Sequence, residues 1–450
     1  MDSRKSKKKE ILDLARKNRI AVTRFQYMGN DLTERAMASS DEFLGSHLDS
    51  GIGIARGMQS FNAIDELVPE GSFGPEDSEF RIVPDLDTFA MIPYAPRTAR
   101  IISELWNKDY TPSETDGRFF LRRVIDSSRR KGFLPFASFE TEFYLLKWVD
   151  GKPSPFISEK LGSTHGYDLL SDYLVKLTDD LSKMGVRVER LKKEYGNSQI
   201  EPTLRYSDAL KAADDLITLK DVAKGIASNR DLFATFMPKP FQNIAGNGMH
   251  VHLSLIDPRT RKNVFYKKGD ELSSLGRYFV GGIMEHMKGM CVFGAPISNS
   301  YKRILPHTWS PSHVSWGYDN RGTALRIPST STPDGARVEF RVPDPSANPY
   351  LALGCLLASG LEGIEKKIEP PEPLSLDPSD VSDSELERMK VDFLPRTLGE
   401  AIDSALSDPW VRETMGSVLF DEYLAVRSSE WKTYREQVTE WEVSKYLESI

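Results

Sequence analysis

The chain has 450 residues, 39% of them hydrophobic and 28% charged, with a formal net charge of −7. That length buries a large core and predicts two domains, while the acidic balance disfavours a nucleic-acid surface, since phosphate binding needs a basic excess. Cys291 and Cys355 sit in apolar runs, which excludes a disulfide framework or cysteine zinc site, and no run of apolar residues reads as a signal peptide or membrane span, so a cytoplasmic protein is expected.

In chain order, the basic run from Arg4 to Lys9 precedes Ile11, Leu12, Leu14 and Ala15, and reads as the solvated face of a first helix. Residues 20–25, 79–83 and 88–92 read as strands. Gly51, Gly53 and Gly57 faintly imitate a dinucleotide fingerprint, but 44–50 is a poor strand and no helix pattern follows, so that reading is set aside. No P-loop motif occurs. From about residue 112, helices and strands alternate. One helix is expected after Ser207 as N-cap, with Leu210, Ala213, Leu216, Ile217 and Ile226 at helical spacing. Another begins at Asn348, with Pro349 in its first position, and runs to about Lys367. Residues 369–385 read as a Pro- and acid-rich surface loop. Beyond Pro395 the chain reads as wholly helical, with Trp431, Tyr434, Trp441 and Tyr446 as packing anchors.

Three stretches carry the chemistry. Side chains alternate along a strand, so within 136–144 Glu140 and Glu142 share a face, as do His250, His252 and Ser254 within 249–255. Arg337, Glu339 and Arg341 line one face of 337–342, with Val338, Phe340 and Val342 behind. Glu, His and Arg on such faces hold hard cations and bind carboxylates or phosphates. Phe139 and Phe143 place the paired glutamates deep in the molecule, where carboxylates are costly unless paired or metal-bound. Gly246-Asn247-Gly248 gives a flexible approach to His250, and Glu194 and Glu201 flank a turn. Together these residues make a mixed carboxylate–imidazole site for Mg²⁺ or Mn²⁺ credible.

The order of these motifs resembles the glutamine synthetase family, of the bacterial and archaeal type I branch, from about residue 20 to the C-terminus. The matching stretches begin at Ser138, Glu194, Ala234, Gly248, Asn299 and Arg337. The resemblance implies an α+β fold: an N-terminal β-grasp-like domain over 1–106 and a glutamine synthetase/guanido kinase-like catalytic domain over 107–450, with a polar-lined antiparallel sheet. It also implies phosphorylation of the glutamate side chain by ATP, followed by attack of an amine on γ-glutamyl phosphate. Glu142, Glu194 and Glu201 match the ligands of one Mg²⁺ or Mn²⁺, and Glu140, His250 and Glu339 those of another. Gly246, Arg303 and Arg341 match the glutamate site, and Arg321 and Arg326 the arginines that stabilise transferring phosphate. Glu189, Tyr206, His252 and Ser254 match the ATP pocket. Family resemblance further implies hexameric rings, paired into a dodecamer, with each active site shared between neighbouring subunits.

The departures concern the amine. Ammonia-using members carry a flap glutamate six residues past the arginine matched by Arg303; here that position is Trp309. The acidic element that attracts ammonium from the neighbouring subunit corresponds to the glycine-rich 51–55, although Tyr167, also near the ammonium site, is retained. An indole offers a cation–π face to an alkylammonium, so the expected substrate is an organic amine such as methylamine, ethanolamine or a polyamine. The alternatives are an ammonia-using glutamine synthetase and a catalytically silent structural or regulatory relative. No tyrosine lies in 369–387, which argues against adenylylation there.

Overall fold

The computed structural model describes residues 2–267 and 271–450. Over these described residues it is an α+β protein with two sheets. The first has six strands and spans Val22–Met28 to Thr98–Trp106; one pair within it, between those two strands, is parallel. Helices Asp2–Lys17 and Asp41–Ser50 cover it, and Ile11, Ala15, Phe25, Leu44, Leu48, Phe80 and Leu105 form the core between them. The basic face of the first helix is partly engaged, since Lys8 pairs with Asp49 at 2.5 Å and Arg4 donates to the Leu48 carbonyl.

The second sheet has eleven strands. At its centre Leu134–Thr141 lies between Gln199–Leu204 and Met249–Ile256, followed by Val338–Phe340, Leu325–Ile327 and Trp316–Tyr318. Its apolar face is buried: Ala137, Phe139, Val251, Leu253 and Val338 are each 0% exposed. Helix Ala209–Ser228 packs on that face, and helices Gly117–Arg130, Ser274–Gly294 and Pro349–Lys366 complete the layer behind it. No described helix is long and apolar enough to cross a membrane.

Local expectations fail where a cap or a bend intervenes. Residues 136–144 do not form one strand; Leu134–Thr141 ends before Glu142, and Phe143–Val149 shares the partner Gln199–Leu204 but otherwise pairs with Phe233–Thr235 and Lys152–Pro155. The helix after Ser207 is capped instead by Asp208, whose carboxylate accepts from Leu210 N; Ser207 and Asp208 both pair with the strand Leu134–Thr141, opposite Ala137 and Phe136. Asn348 caps its helix as expected, accepting from Tyr350 N and Leu351 N, and the helix ends at Lys366 with Lys367 left-handed. Residues 41–50 form a helix and 88–92 only a short strand, Ala90–Met91. The Pro- and acid-rich loop includes the start of helix Asp383–Met389. Trp441 and Tyr446 are 59% and 48% exposed and pack edge-to-face on each other, so they do not anchor the core.

The two sheets are joined by buried charge. Arg118, 3% exposed, donates to Glu104 at 2.9 Å, to Asp85 at 2.7 Å and to both carboxylate oxygens of Asp214. Gathering three acids, Asp85 among them still partly exposed, around one buried guanidinium gives little net gain, but breaking such a set strands the partners. Arg118→Met is therefore expected to lower the unfolding free energy by ~3–5 kcal/mol, read as a reduced denaturation midpoint. A change under about 1 kcal/mol, the usual worth of a surface pair, contradicts this.

Candidate active site

Cross-strand registry assembles the polar face. Glu140 lies directly opposite His250, His252 opposite Glu339, and Glu339 opposite Arg326. Ligand atoms of Glu140, His250 and Glu339 all lie within 4.8 Å of one another. Those of Glu142, Glu194 and Glu201 form a second such group. The break after Thr141 separates the paired glutamates: Glu140 stays in the ladder, whereas Glu142 turns to accept from Gly248 N at 2.8 Å and Gln199 Nε2 at 3.1 Å.

The donor sets fit divalent cations. His250 Nδ1 is buried without a hydrogen bond, although it lies 3.7 Å from Glu140 Oε2 and 3.6 Å from Glu339 Oε1. Burial, with Arg341 nearby, pushes the imidazole down to about 4, so it is neutral and able to coordinate. Glu339 is 1% exposed, and burial alone would raise its pKa. The neighbouring His252 and Arg341, followed by His250 and Arg326, instead hold it down at about 2. Arg326 and Arg341 each donate to one of its oxygens at 2.7 Å. Glu140 is likewise held far below the usual range, against its burial, by the neighbouring His250 and His252 imidazoles. In the all-carboxylate group the balance runs the other way. Burial and the neighbouring Glu194 raise Glu142 to about 7, and burial with Glu142 and Glu140 raises Glu201 to about 9.

The remaining expected residues are placed as follows. Arg303 is buried and donates to the Val342 and Arg341 carbonyls at 2.9 Å. Gly246 packs on its stem; a Cβ there would fall 2.9 Å from Arg303 Cγ and 2.7 Å from the Pro238 carbonyl, so only glycine fits. Arg341 also reaches the Trp309 carbonyl at 3.4 Å, and its Nε is buried without a partner, as is that of Arg326. Trp309 is 80% exposed with a left-handed backbone, φ 60°. Tyr206 stacks on Phe136 at 5.1 Å and bonds Ser254 Oγ at 2.6 Å. His252 Nδ1 accepts from Arg337, and Nε2 lies 3.3 Å from Glu140. Arg321 and Glu189 are exposed, Glu189 where a bulge interrupts strand Val188–Lys193. The Tyr167 hydroxyl is spent on that strand, donating to the Leu191 carbonyl and accepting from Lys193 N. Among the described residues, no hydrogen bond or ring contact joins it to Trp309.

Sequence reading missed Gln199, which bonds Glu142, the Gly246 carbonyl and Asn247. It also missed Arg190 and Lys192, which pair with Glu140 and Glu194. Alternation was the available signal: Gln199 is two residues before Glu201, and Arg190 two before Lys192.

Two clusters of hard ligands beside buried arginines make up the apparatus of a metal-dependent enzyme acting on anionic substrates. The chain belongs to the glutamine synthetase family: residues 114–446 match the family model for the glutamine synthetase catalytic domain. It is 37% identical to a glutamine synthetase of Thermotoga maritima, over 84% of this chain and 87% of the relative. One of Methanosarcina mazei is 36% identical over 83% and 85%. Among solved structures it is similar to "Apo GmaS without ligand", with TM-score 0.86 and 26% identity over 97% of this chain and 99% of the other. "Crystal structure of novel glutamine synthase homolog" superposes with TM-score 0.83 and 26% identity over 94% and 97%. The protein is a glutamine synthetase-like, ATP-dependent glutamate ligase of a family that uses divalent metals.

The raised carboxyls set a pH dependence. Their folded pKa values exceed the ordinary 4.5, so their contribution to stability is complete below that pH and is lost as pH rises through about 7 and about 9. Metal-free protein should therefore lose thermal stability from about pH 4.5 up to about 9, while Mn²⁺ affinity rises over the same window as the cation displaces protons. Calorimetric titration in buffers of different ionisation enthalpy reads the released protons; a pH-independent affinity contradicts the assignment.

Proposed function

We propose that the chain joins an organic amine to the γ-carboxylate of glutamate through γ-glutamyl phosphate, with ATP as phosphoryl donor. The observation that carries this reading is Trp309: an indole, 80% exposed, six residues past Arg303 and tethered through its carbonyl to Arg341. It stands where ammonia-using relatives place a flap glutamate, so an aromatic face replaces a charge that attracts ammonium. The likeness to GmaS, a γ-glutamylmethylamide synthetase, supports the same reading.

Arg341 is the guanidinium for the substrate carboxylate, since Glu339 and Trp309 occupy its two terminal nitrogens only in part and its Nε is free. Arg303 and Gly246 shape the backbone beside it. Arg326, with its own unpartnered Nε, and Arg321 face the phosphoryl group as it leaves ATP. Tyr206 has one ring face on Phe136 and offers the other to adenine, with Ser254, His252 and Glu189 completing the nucleotide site. Glu142, Glu194 and Glu201 would hold one Mg²⁺ or Mn²⁺ and Glu140, His250 and Glu339 another, which when bound neutralise the phosphate oxygens. Tyr167 and a neighbouring subunit's N-terminal segment complete the amine site in a ring-shaped homo-oligomer, a dodecamer of two hexamers.

A second reading, use of ammonium itself, is favoured by relatives named glutamine synthetase at 36–37% identity. Phosphate release with glutamate, ATP and Mg²⁺ decides between them. Methylamine, ethanolamine or a polyamine is expected to support turnover well above ammonium; turnover with ammonium alone sinks the organic-amine reading. Trp309→Glu should shift preference toward ammonium by roughly 2- to 30-fold, the worth of a cation–π contact of about 0.5–2 kcal/mol. Glu339→Ala should cut turnover with every amine by ~100-fold or more, since it removes a ligand and leaves Arg326 and Arg341 unneutralised.

A further inference from the structure

The strand Val188–Lys193 lies at the rim of the eleven-stranded sheet, paired with Gln199–Leu204. Arg190 and Lys192 alternate along it and so share a face. Registry aims each at a different acid cluster. Lys192 stands directly opposite Glu201 and forms an ion pair with Glu194. Arg190 stands opposite Thr203, which in turn stands opposite Glu140, and the guanidinium reaches Glu140 Oε1 at 2.7 Å.

The two cations differ in how they are held. Arg190 also bonds the Thr203 hydroxyl, at 3.3 Å and 3.4 Å, and its planar fork keeps that geometry. Lys192 has a flexible four-carbon stem; its side chain, 47% exposed, is less open to solvent than that of Arg190, 62% exposed, so the difference between them lies in the stem and the hydrogen bonds. Among the described residues it makes the only ion pair with Glu142, Glu194 or Glu201, because Arg303 nearby is spent on backbone carbonyls.

We propose that Lys192 is the resident counter-cation of the three-carboxylate site: its ammonium holds the cluster together without metal and swings into solvent when a divalent cation takes the carboxylate oxygens. Arg190 is its fixed counterpart at the Glu140 cluster. The proposal rests on the metal-binding reading above. Three carboxyl groups in one small buried volume repel when ionised, and an ammonium beside them lowers that cost in the metal-free site. That charge then competes with any incoming cation. A divalent ion displaces it more readily than a monovalent one, and Lys192 thereby sets both the affinity and the charge selectivity of the site.

The test is calorimetric titration of the metal-free full-length protein with Mn²⁺, for wild type, Lys192→Met and Lys192→Arg, beside thermal midpoints with and without Mn²⁺. Wild type is expected to bind two ions per subunit. Lys192→Met should bind one of them roughly tenfold tighter, because a competing charge is gone. Its metal-free midpoint should fall, its Mn²⁺-loaded midpoint should match wild type, and Lys192→Arg should stay near wild type in all three. If metal-free Lys192→Met does not fold, competition against a chelator from the Mn²⁺-loaded protein reads the same constant. Unchanged or weaker Mn²⁺ binding by Lys192→Met overturns the proposal. Failure of wild type to bind two ions overturns instead the metal reading beneath it.

Discussion

Carboxylates packed within bonding distance of one another in a protein interior need positive charge beside them, and the polar face of the large sheet is organised around that need. Glu339 is the extreme case, almost fully buried, with a guanidinium on each oxygen and His250 against it. Arg190 serves Glu140 and Lys192 serves Glu194. Arg326 comes from the neighbouring strand, Arg341 and Lys192 lie two residues along the chain from the acids they serve, and Arg190 reaches Glu140 across the intervening strand Gln199–Leu204, so the sheet ladder itself delivers them. Held this way, the face offers lone pairs to cations and unpartnered guanidinium nitrogens to anions, both of which glutamate activation by ATP requires.

Precision at the face depends on what lies behind it. The alternate residues of the same strands are packed against helix Ala209–Ser228, which is itself buried along most of its length. A ligand on such a strand has little freedom to move, because its neighbours are locked in the core. Trp309 belongs to a different regime. It sits in a surface loop whose backbone is left-handed at both His307 and Trp309, conformations that bulky residues adopt only when the surroundings impose them. The tether from Arg341 couples this loop to the rigid face, so the element proposed to choose the amine is attached to the one that positions glutamate.

This division explains how relatives named glutamine synthetase and structures of GmaS are both similar to one chain. On the function proposed here, the ladder-borne residues serve the activation of glutamate, whereas the amine is met by a loop and by whatever segment faces it. Chemistry that depends on charge compensation tolerates little change; a loop over the entrance can exchange a carboxylate for an indole without disturbing the sheet.

The alternating pattern of three short stretches was enough to place Glu140, the pair His250 and His252, and Glu339 each on the polar face of its own stretch, since side-chain direction on a strand is a local property. Caps and ends were legible where a single residue decides them, as Asn348 does, and misread where a sheet contact intervened, as at Ser207. The strand break at Glu142 was beyond local reading: Phe143–Val149 leaves Leu134–Thr141 because it pairs with other strands, among them Phe233–Thr235, far along the chain. That break sends the two adjacent glutamates to separate clusters. Registry likewise brought Arg190 and Lys192 to the acids, a matter of which residues lie opposite one another across strands. The sequence by itself determined which side chains share a face, because alternation needs only the chain's own geometry. Only the tertiary structure decided which faces meet, because pairing and packing join residues that the sequence keeps apart.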